Sequence, residues 1–253
     1  MHVSPHPGLT CATAVPARQA PAGSAYARAM TPETEALVRS ATAWAAVPFV
    51  PEVTLRTAAE PFGLWGRTEL DAPPFWAFPW AGGQGLARYV LDHPETVAGR
   101  RVLDVAAGSG LVAIAAAKAG ARTVTAGDID ENALAAITLN AAANGTSQVT
   151  ARSVDLATAT LATVSRGEDL APGNLHAPDV VLAADVFYQR DLAAMALRFL
   201  QAAKAAGATV LAADPSRAFV PRAELTALTS YEIPVLTVLE DTPVKTVTVY
   251  ALT

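Results

Sequence analysis

The 253-residue chain predicts an α/β fold: a seven-stranded sheet with helices on both faces and an antiparallel last strand. Three features carry that expectation. From residue 101 onward, apolar runs rich in β-branched residues alternate with stretches of helical periodicity. The first run, RVLDV at 101–105, opens into the small-residue turn Ala106-Ala107-Gly108-Ser109-Gly110 and passes at once into the helical pattern LVAIAAAKAG. The chain then closes on two β-rich runs, Glu232–Leu239 and Lys245–Leu252, around Glu240-Asp241-Thr242-Pro243, with no room for a crossover helix. Strand, glycine turn, helix and a second strand in that order make the sheet Rossmann-like.

Residues 1–29 hold Pro5, Pro7, Pro16 and Pro21 among small residues without apolar periodicity, and are read as disordered. Arg18 and Arg28, with no acid before Glu33, fit a mitochondrial transit peptide, but the prolines oppose the helix such a peptide needs. A translation start at Met30 is the simpler reading. A second segment, 30–100, begins with Thr31-Pro32-Glu33, a cap followed by a first-turn proline and acid. It predicts a helix to about Ala46, with Leu37, Val38, Ala41, Trp44 and Ala45 on one face, stopped by Pro48 and Pro51; Val53–Arg56 reads as a short strand. Trp65, Phe75, Trp76, Phe78 and Trp80 then crowd a proline-broken stretch before Gly82-Gly83 and the helical QGLARYVLDH. This aromatic stretch reads equally as a cover on the core or as a lid on a cofactor pocket. The third segment, 101–253, is the core: strands at 102–106, 123–128, 149–153, 180–184 and 209–213, helices at about 111–119, 131–144 and 190–205, and irregular chain at 156–170.

Composition narrows the functional classes. Hydrophobic residues make up 52% and charged ones 16%, which suits one globular core. A net charge of −5 with no basic run argues against gripping a nucleic-acid backbone. The lone cysteine, Cys11, leaves no intramolecular disulfide or cysteine zinc site, and His2, His6, His93 and His176 lack metal-ligand spacing. No uncharged apolar run reaches the roughly 18 residues of a membrane span. The chain reads as cytoplasmic, with neither nucleic acid nor membrane as partner.

The glycine turn points to a nucleotide-like ligand, because it offers backbone N–H groups at a helix N-terminus. Asp128 ends the second strand, 18 residues after Gly110 (128 − 110). An acid there can accept from both hydroxyls of a ribose. A dinucleotide and S-adenosylmethionine both fit, and GSGLVA also satisfies the relaxed dinucleotide pattern. Two features favour the methyl donor. Asp104 could meet its cationic amino end but would repel a pyrophosphate, and a dinucleotide domain would not close on antiparallel strands. At the third strand's end, Asp155 could bond an adenine amino group and Leu156 pack the ring, although Asp155 reads equally as a turn former. Asp185 follows the buried run VVLAA, ending in Ala184, and a charge there needs partners. With Tyr188 three residues on, it could bind an incoming amine, which would attack a sulfonium methyl group in line. Tyr188 reads equally as a core residue. Asp214-Pro215-Ser216-Arg217 is a weaker candidate for the substrate side.

PPFWAFPWAGGQGLARYVLDHPETVAGRRVLDVAAGSGLVAIAAAKAGA, DIDENALAAITLNAAANG and ADVFY together resemble the seven-strand class I S-adenosylmethionine-dependent methyltransferases. Within them the chain is similar to the family 16 lysine methyltransferases, in particular the branch acting on the electron-transfer flavoprotein β subunit. The resemblance runs from about residue 50 to the end. It implies cofactor contacts from Trp80, Ala106, Ala107, Gly108, Asp128, Leu156 and Ala184, and an acceptor lysine between Asp185 and Tyr188. The family commonly has glycine at the position of Ala106 and often tryptophan at that of Leu156. DVFY lacks the paired prolines of the Asn-Pro-Pro-Tyr motif used on glutamine or adenine. A small-amine methyltransferase, an NAD(P) oxidoreductase and a noncatalytic binding module stand as alternatives.

Overall fold

The structure, a computed structural model, describes residues 30–58, 74–165, 177–235 and 242–253. The expectations for residues 1–29, Trp65 and the Glu240-Asp241 turn lie outside these.

Thr31 caps helix α1 (Pro32–Ala41), its hydroxyl accepting from the Thr34 N–H at 3.2 Å. The helix ends at Ala41, not Ala46. Thr42 is extended (φ −135°), and its hydroxyl donates to the Val38 carbonyl at 2.5 Å, closing the last turn with a side chain. The next residues form strand β1 (Ala43–Val47), paired antiparallel with β2 (Val50–Thr57) so that Ala43 faces Thr57. Trp44, expected on a buried helix face, is 45% exposed and lies under the Arg56 guanidinium, 4.9 Å from the ring centroid.

The central sheet contains β3 (Arg101–Val105), β4 (Thr123–Asp128), β5 (Val149–Ser153), β6 (Val180–Ala184), β7 (Thr209–Asp214), β8 (Leu225–Pro234) and β9 (Val244–Leu252). Its order is β5-β4-β3-β6-β7-β9-β8. The first five strands are parallel, and β9 runs antiparallel to both β7 and β8. Strand β8 begins at Leu225 rather than Glu232, and its register shifts between Ala227 and Thr229. Its exposed face carries little apolar alternation, which hid its start.

Between the strands run α2 (Ala81–Asp92), α3 (Leu111–Lys118), α4 (Glu131–Ala143), α5 (Leu161–Ser165) and α6 (Arg190–Ala205). Side chains alternate across the sheet, as strand geometry requires. Leu103, Val105, Val181, Ala183, Val210 and Ala212 face α6 through Ala196, Phe199, Leu200 and Ala203. Val102, Val124, Val180, Leu182, Leu211, Ala213, Val247 and Val249 cluster with α2 and α3. Helix α3 buries seven of its eight residues, which explains an alanine-rich sequence without a polar face. Val47, Val50, Val53 and Leu55 of the hairpin join this same cluster, so it shares its core with the sheet.

One buried polar residue ties the layers to the glycine turn. Asn140 of α4, fully buried, accepts from the Arg56 N–H at 2.9 Å and donates to the Ser109 carbonyl at 2.8 Å. The β1–β2 hairpin and the turn after β3 are thereby held by one amide.

Candidate active site

From β3 the chain proceeds outward to β4 and β5; from β6 it proceeds the other way to β7. The diverging connections leave a crevice beyond the carboxyl ends of β3 and β6. A cavity of about 510 Å³ occupies it. Trp80, Asp104, Ala106, Ala107, Gly108, Asp128, Ala184, Asp185 and Tyr188 all line it. Gly110, Asp155 and Leu156 do not.

Gly110 lies behind the wall. It heads α3 at φ 80°, and a Cβ there would press to 3.2 Å from Ile137 Cγ1. Asp155 is the turn former: its Oδ1 accepts from the Ala157 N–H at 2.8 Å. Leu156 is 7% exposed and packs in the cluster under α6. Arg198 of α6 donates to the carbonyls of Leu156 and Ala157 at 3.3 and 3.1 Å, tying this loop to the helix.

At the β3–β4 end, Asp128 brackets the turn. Its Oδ2 accepts from the Gly108 N–H at 2.8 Å and its Oδ1 from the Asp130 N–H at 3.0 Å. Burial raises its pKa and these N–H groups oppose the rise. Asp104 is 2% exposed, and one oxygen accepts from the Ala113 N–H at 3.0 Å. Burial pushes its carboxyl up to about 8, and the Asp128 charge adds to the rise. Ala106, Asp185 and Ser216 are the non-glycine residues with positive φ among the described residues, at 53°, 56° and 67°. They follow β3, β6 and β7, so left-handed backbone gathers at the strand ends around the cavity.

At the β6–β7 end, Asp185 has three protein donors. Its Oδ1 accepts from Arg217 Nη1 at 2.5 Å and from the Gly82 N–H at 3.2 Å; its Oδ2 accepts from the Gly83 N–H at 2.7 Å. The sequence reading left this carboxylate open to an amine and gave no weight to its hold on α2. A Cβ on Gly82 would sit 2.6 Å from Asp185 Oδ2, so this glycine lets the helix N-terminus meet the acid. Asp214, fully buried, accepts from the Arg217 N–H at 2.6 Å, and its Oδ2 lies 3.5 Å from Arg217 Nη1. Burial pushes Asp214 up to about 6.

An aromatic wall closes the side between these ends. Trp80 Nε1 donates to the Phe75 carbonyl at 2.8 Å, and the Trp80 ring lies 5.8 Å from Phe75 and 6.2 Å from Phe78. Tyr188 packs 5.4 Å from Phe75. Burial raises the Tyr188 pKa, so its hydroxyl keeps its proton at neutral pH. Sequence reasoning missed Ile129, an apolar side chain 64% exposed at the rim. Its position directly after Asp128, at a strand tip, was the available signal.

Among the described residues the lining carries four acids, Asp104, Asp128, Asp130 and Asp185, against one guanidinium, Arg217. Such a wall suits a cationic ligand and repels a pyrophosphate. The donor set therefore fits S-adenosylmethionine, with a buried acid for its ammonium and a strand-end acid for its ribose. Among the described residues no His, Cys, Asp and Glu group could hold a metal ion, and no helix is long and apolar enough to cross a membrane.

Alongside the seven-stranded sheet with its antiparallel end, the sequence itself is similar to methyltransferases. Residues 89–184 match the family model of ribosomal protein L11 methyltransferase (PrmA). The chain is similar to the electron transfer flavoprotein beta subunit lysine methyltransferases of Rattus norvegicus and Xenopus laevis. With the first it is 36% identical over 171 residues, covering 66% of this chain and 62% of the relative. With the second it is 34% identical over 175 residues, covering 68% and 65%. The ribosomal protein L11 methyltransferase of Geobacter sulfurreducens is 36% identical over 141 residues, 53% of this chain and 44% of that one. The chain thus spans a little under two thirds of the length of the flavoprotein-directed relatives.

Proposed function

We propose that the chain is a protein-lysine N-methyltransferase that binds S-adenosylmethionine in the acidic cavity and methylates a lysine of a partner protein. The single observation that carries this is the gathering, among the described residues, of four acids against one guanidinium around one cavity at the strand switch point. Both the donor and a lysine acceptor bring positive charge to it. The names of the flavoprotein-directed relatives support a protein lysine, and the electron-transfer flavoprotein β subunit is the first acceptor to try. The charge balance and the single cysteine support a cytoplasmic place of action, with no nucleic acid or membrane involved.

Bound in the cavity, the cofactor supplies an electrophilic methyl group. Asp128 would accept from the ribose hydroxyls beside Gly108 and Ala107, and Trp80 and Ala184 would give the apolar wall. Asp104, its carboxyl pushed up to about 8 by burial, would hold the ammonium of the cofactor's amino end, its own proton passing to water. Asp185, held by α2 and Arg217, presents its remaining lone pairs to the acceptor amine. Tyr188 keeps its phenolic proton, so its oxygen orients the amine and the amine's proton leaves to water.

Labelled methyl transfer tests the reading. Purified protein with radiolabelled S-adenosylmethionine should label recombinant electron-transfer flavoprotein β subunit, or another protein in a cell extract, at lysine. Labelling of a small amine with no labelled protein would contradict it.

A further inference from the structure

We propose that Arg217 is a positioning residue for the acceptor: it fixes Asp185 and, with Asp214, leaves this end of the cavity one positive charge short among the described residues, a place that the substrate ammonium fills. The proposal deepens the methyltransferase reading above and rests on it.

The argument starts from charge. Asp185 follows β6, Asp214 ends β7, and one guanidinium lies between them, 2.5 Å from the first and 3.5 Å from the second. Asp214 is fully buried, and its Oδ1 is occupied by the Arg217 N–H. The side chains of Asp185 and Arg217 are 13% and 21% exposed, and both face the cavity. Two carboxylates against one cation leave a net charge of about −1 when both acids are ionised, in a site partly removed from water. Charge in such a site calls for a partner.

Geometry adds to this. Asp185 sits at φ 56°, a strained backbone that persists where its surroundings over-determine it. Its carboxylate is held from one side by the Gly82 and Gly83 N–H groups of α2 and from the other by Arg217. Ser216, next to Arg217, is also left-handed at φ 67°. The β7 loop is thus folded to return one guanidinium to the end of β6. An arginine suits this post because its planar fork stays charged and can bridge two acids. With the carboxylate fixed and its charge only half answered, a protonated or hydrogen-bonding amine is favoured over a neutral acceptor lacking N–H.

The test uses the full chain with electron-transfer flavoprotein β subunit as acceptor. Arg217→Met removes the guanidinium, Arg217→Lys keeps the charge, and Arg217→Met with Asp214→Asn also removes the buried acid that would otherwise lose its partner. S-adenosylhomocysteine affinity, read by calorimetry, reports the fold and the cofactor end. The expected result is an S-adenosylhomocysteine Kd within about twofold of wild type in all three. Acceptor kcat/KM should fall at least about tenfold in both Met variants, with partial recovery in Arg217→Lys. Unchanged acceptor kcat/KM in Arg217→Met, or S-adenosylhomocysteine binding lost in step with turnover in every variant, would overturn the positioning role while the methyltransferase reading stands. A wild-type protein that labels no protein lysine would instead overturn that reading and the Arg217 role with it.

Discussion

Asp104 and Asp128 belong to one cavity yet answer to different tests. On the proposed reading Asp128 accepts charge-assisted hydrogen bonds from the cofactor ribose, each worth about 1.5–3 kcal/mol. Asp128→Ala should therefore weaken S-adenosylhomocysteine binding about tenfold to a hundredfold in a calorimetric titration. Asp104 shows itself through pH. Its folded pKa of about 8 lies well above the ordinary aspartate value, so the folded protein holds a proton that the unfolded chain releases. The stability tied to that proton is complete below the unfolded pKa and is lost as pH rises through the folded one. Asp214 acts in the same sense but is spent by about 6. The thermal midpoint of ligand-free Asp104→Asn should accordingly drop less than that of wild type between about pH 5 and 8. Parallel curves would refute the buried-acid account. Asp128 was legible in the sequence from its place at a strand end. The occupation of Asp185 by Arg217 was not, since a contact across 32 residues leaves no periodic trace.

At the scale of elements, two short devices aim the site. Gly82 allows α2 to start against Asp185, and a methyl group there would meet that carboxylate at 2.6 Å and the Ala213 carbonyl at 2.8 Å. Gly82→Ala should cost turnover on the order of 10²-fold, the scale expected of a misplaced reacting group; activity near wild type would remove Asp185 from the acceptor role. Asn140 joins the hairpin to the glycine turn, and Asn140→Ala strands two buried backbone groups. A loss of about 2–4 kcal/mol in denaturant unfolding is expected, and a loss under about 0.5 kcal/mol would mean that water replaces the amide. The strand-turn-helix unit at 101–118 was readable because each residue type agrees with its local conformation. The β1 strand was not: Ala and Trp at 43–46 accept either state, and pairing with β2 decided between them. The hold of Arg198, on a distant helix, on the loop after β5 was likewise not readable from the local sequence.

The whole molecule gathers acids at a strand switch point and covers them with aromatic rings. Its parallel core and antiparallel end were foreseeable from alternation and from the helix-free final run. The charge excess of the cavity was not, because it depends on which strand ends become neighbours. A chain built this way should be stabilised by its ligand: at about a hundredfold excess over Kd, S-adenosylhomocysteine should add about 2.7 kcal/mol to unfolding. The central claim is that the acidic cavity is a S-adenosylmethionine site. Calorimetric titration of S-adenosylmethionine and S-adenosylhomocysteine, with NAD and NADP as controls, tests it most directly. Saturable binding of the first pair, and no heat from the dinucleotides, is the predicted result. Binding of NAD or NADP with none of the sulfur nucleosides would contradict the roles given to Asp104, Asp128 and Asp185 together.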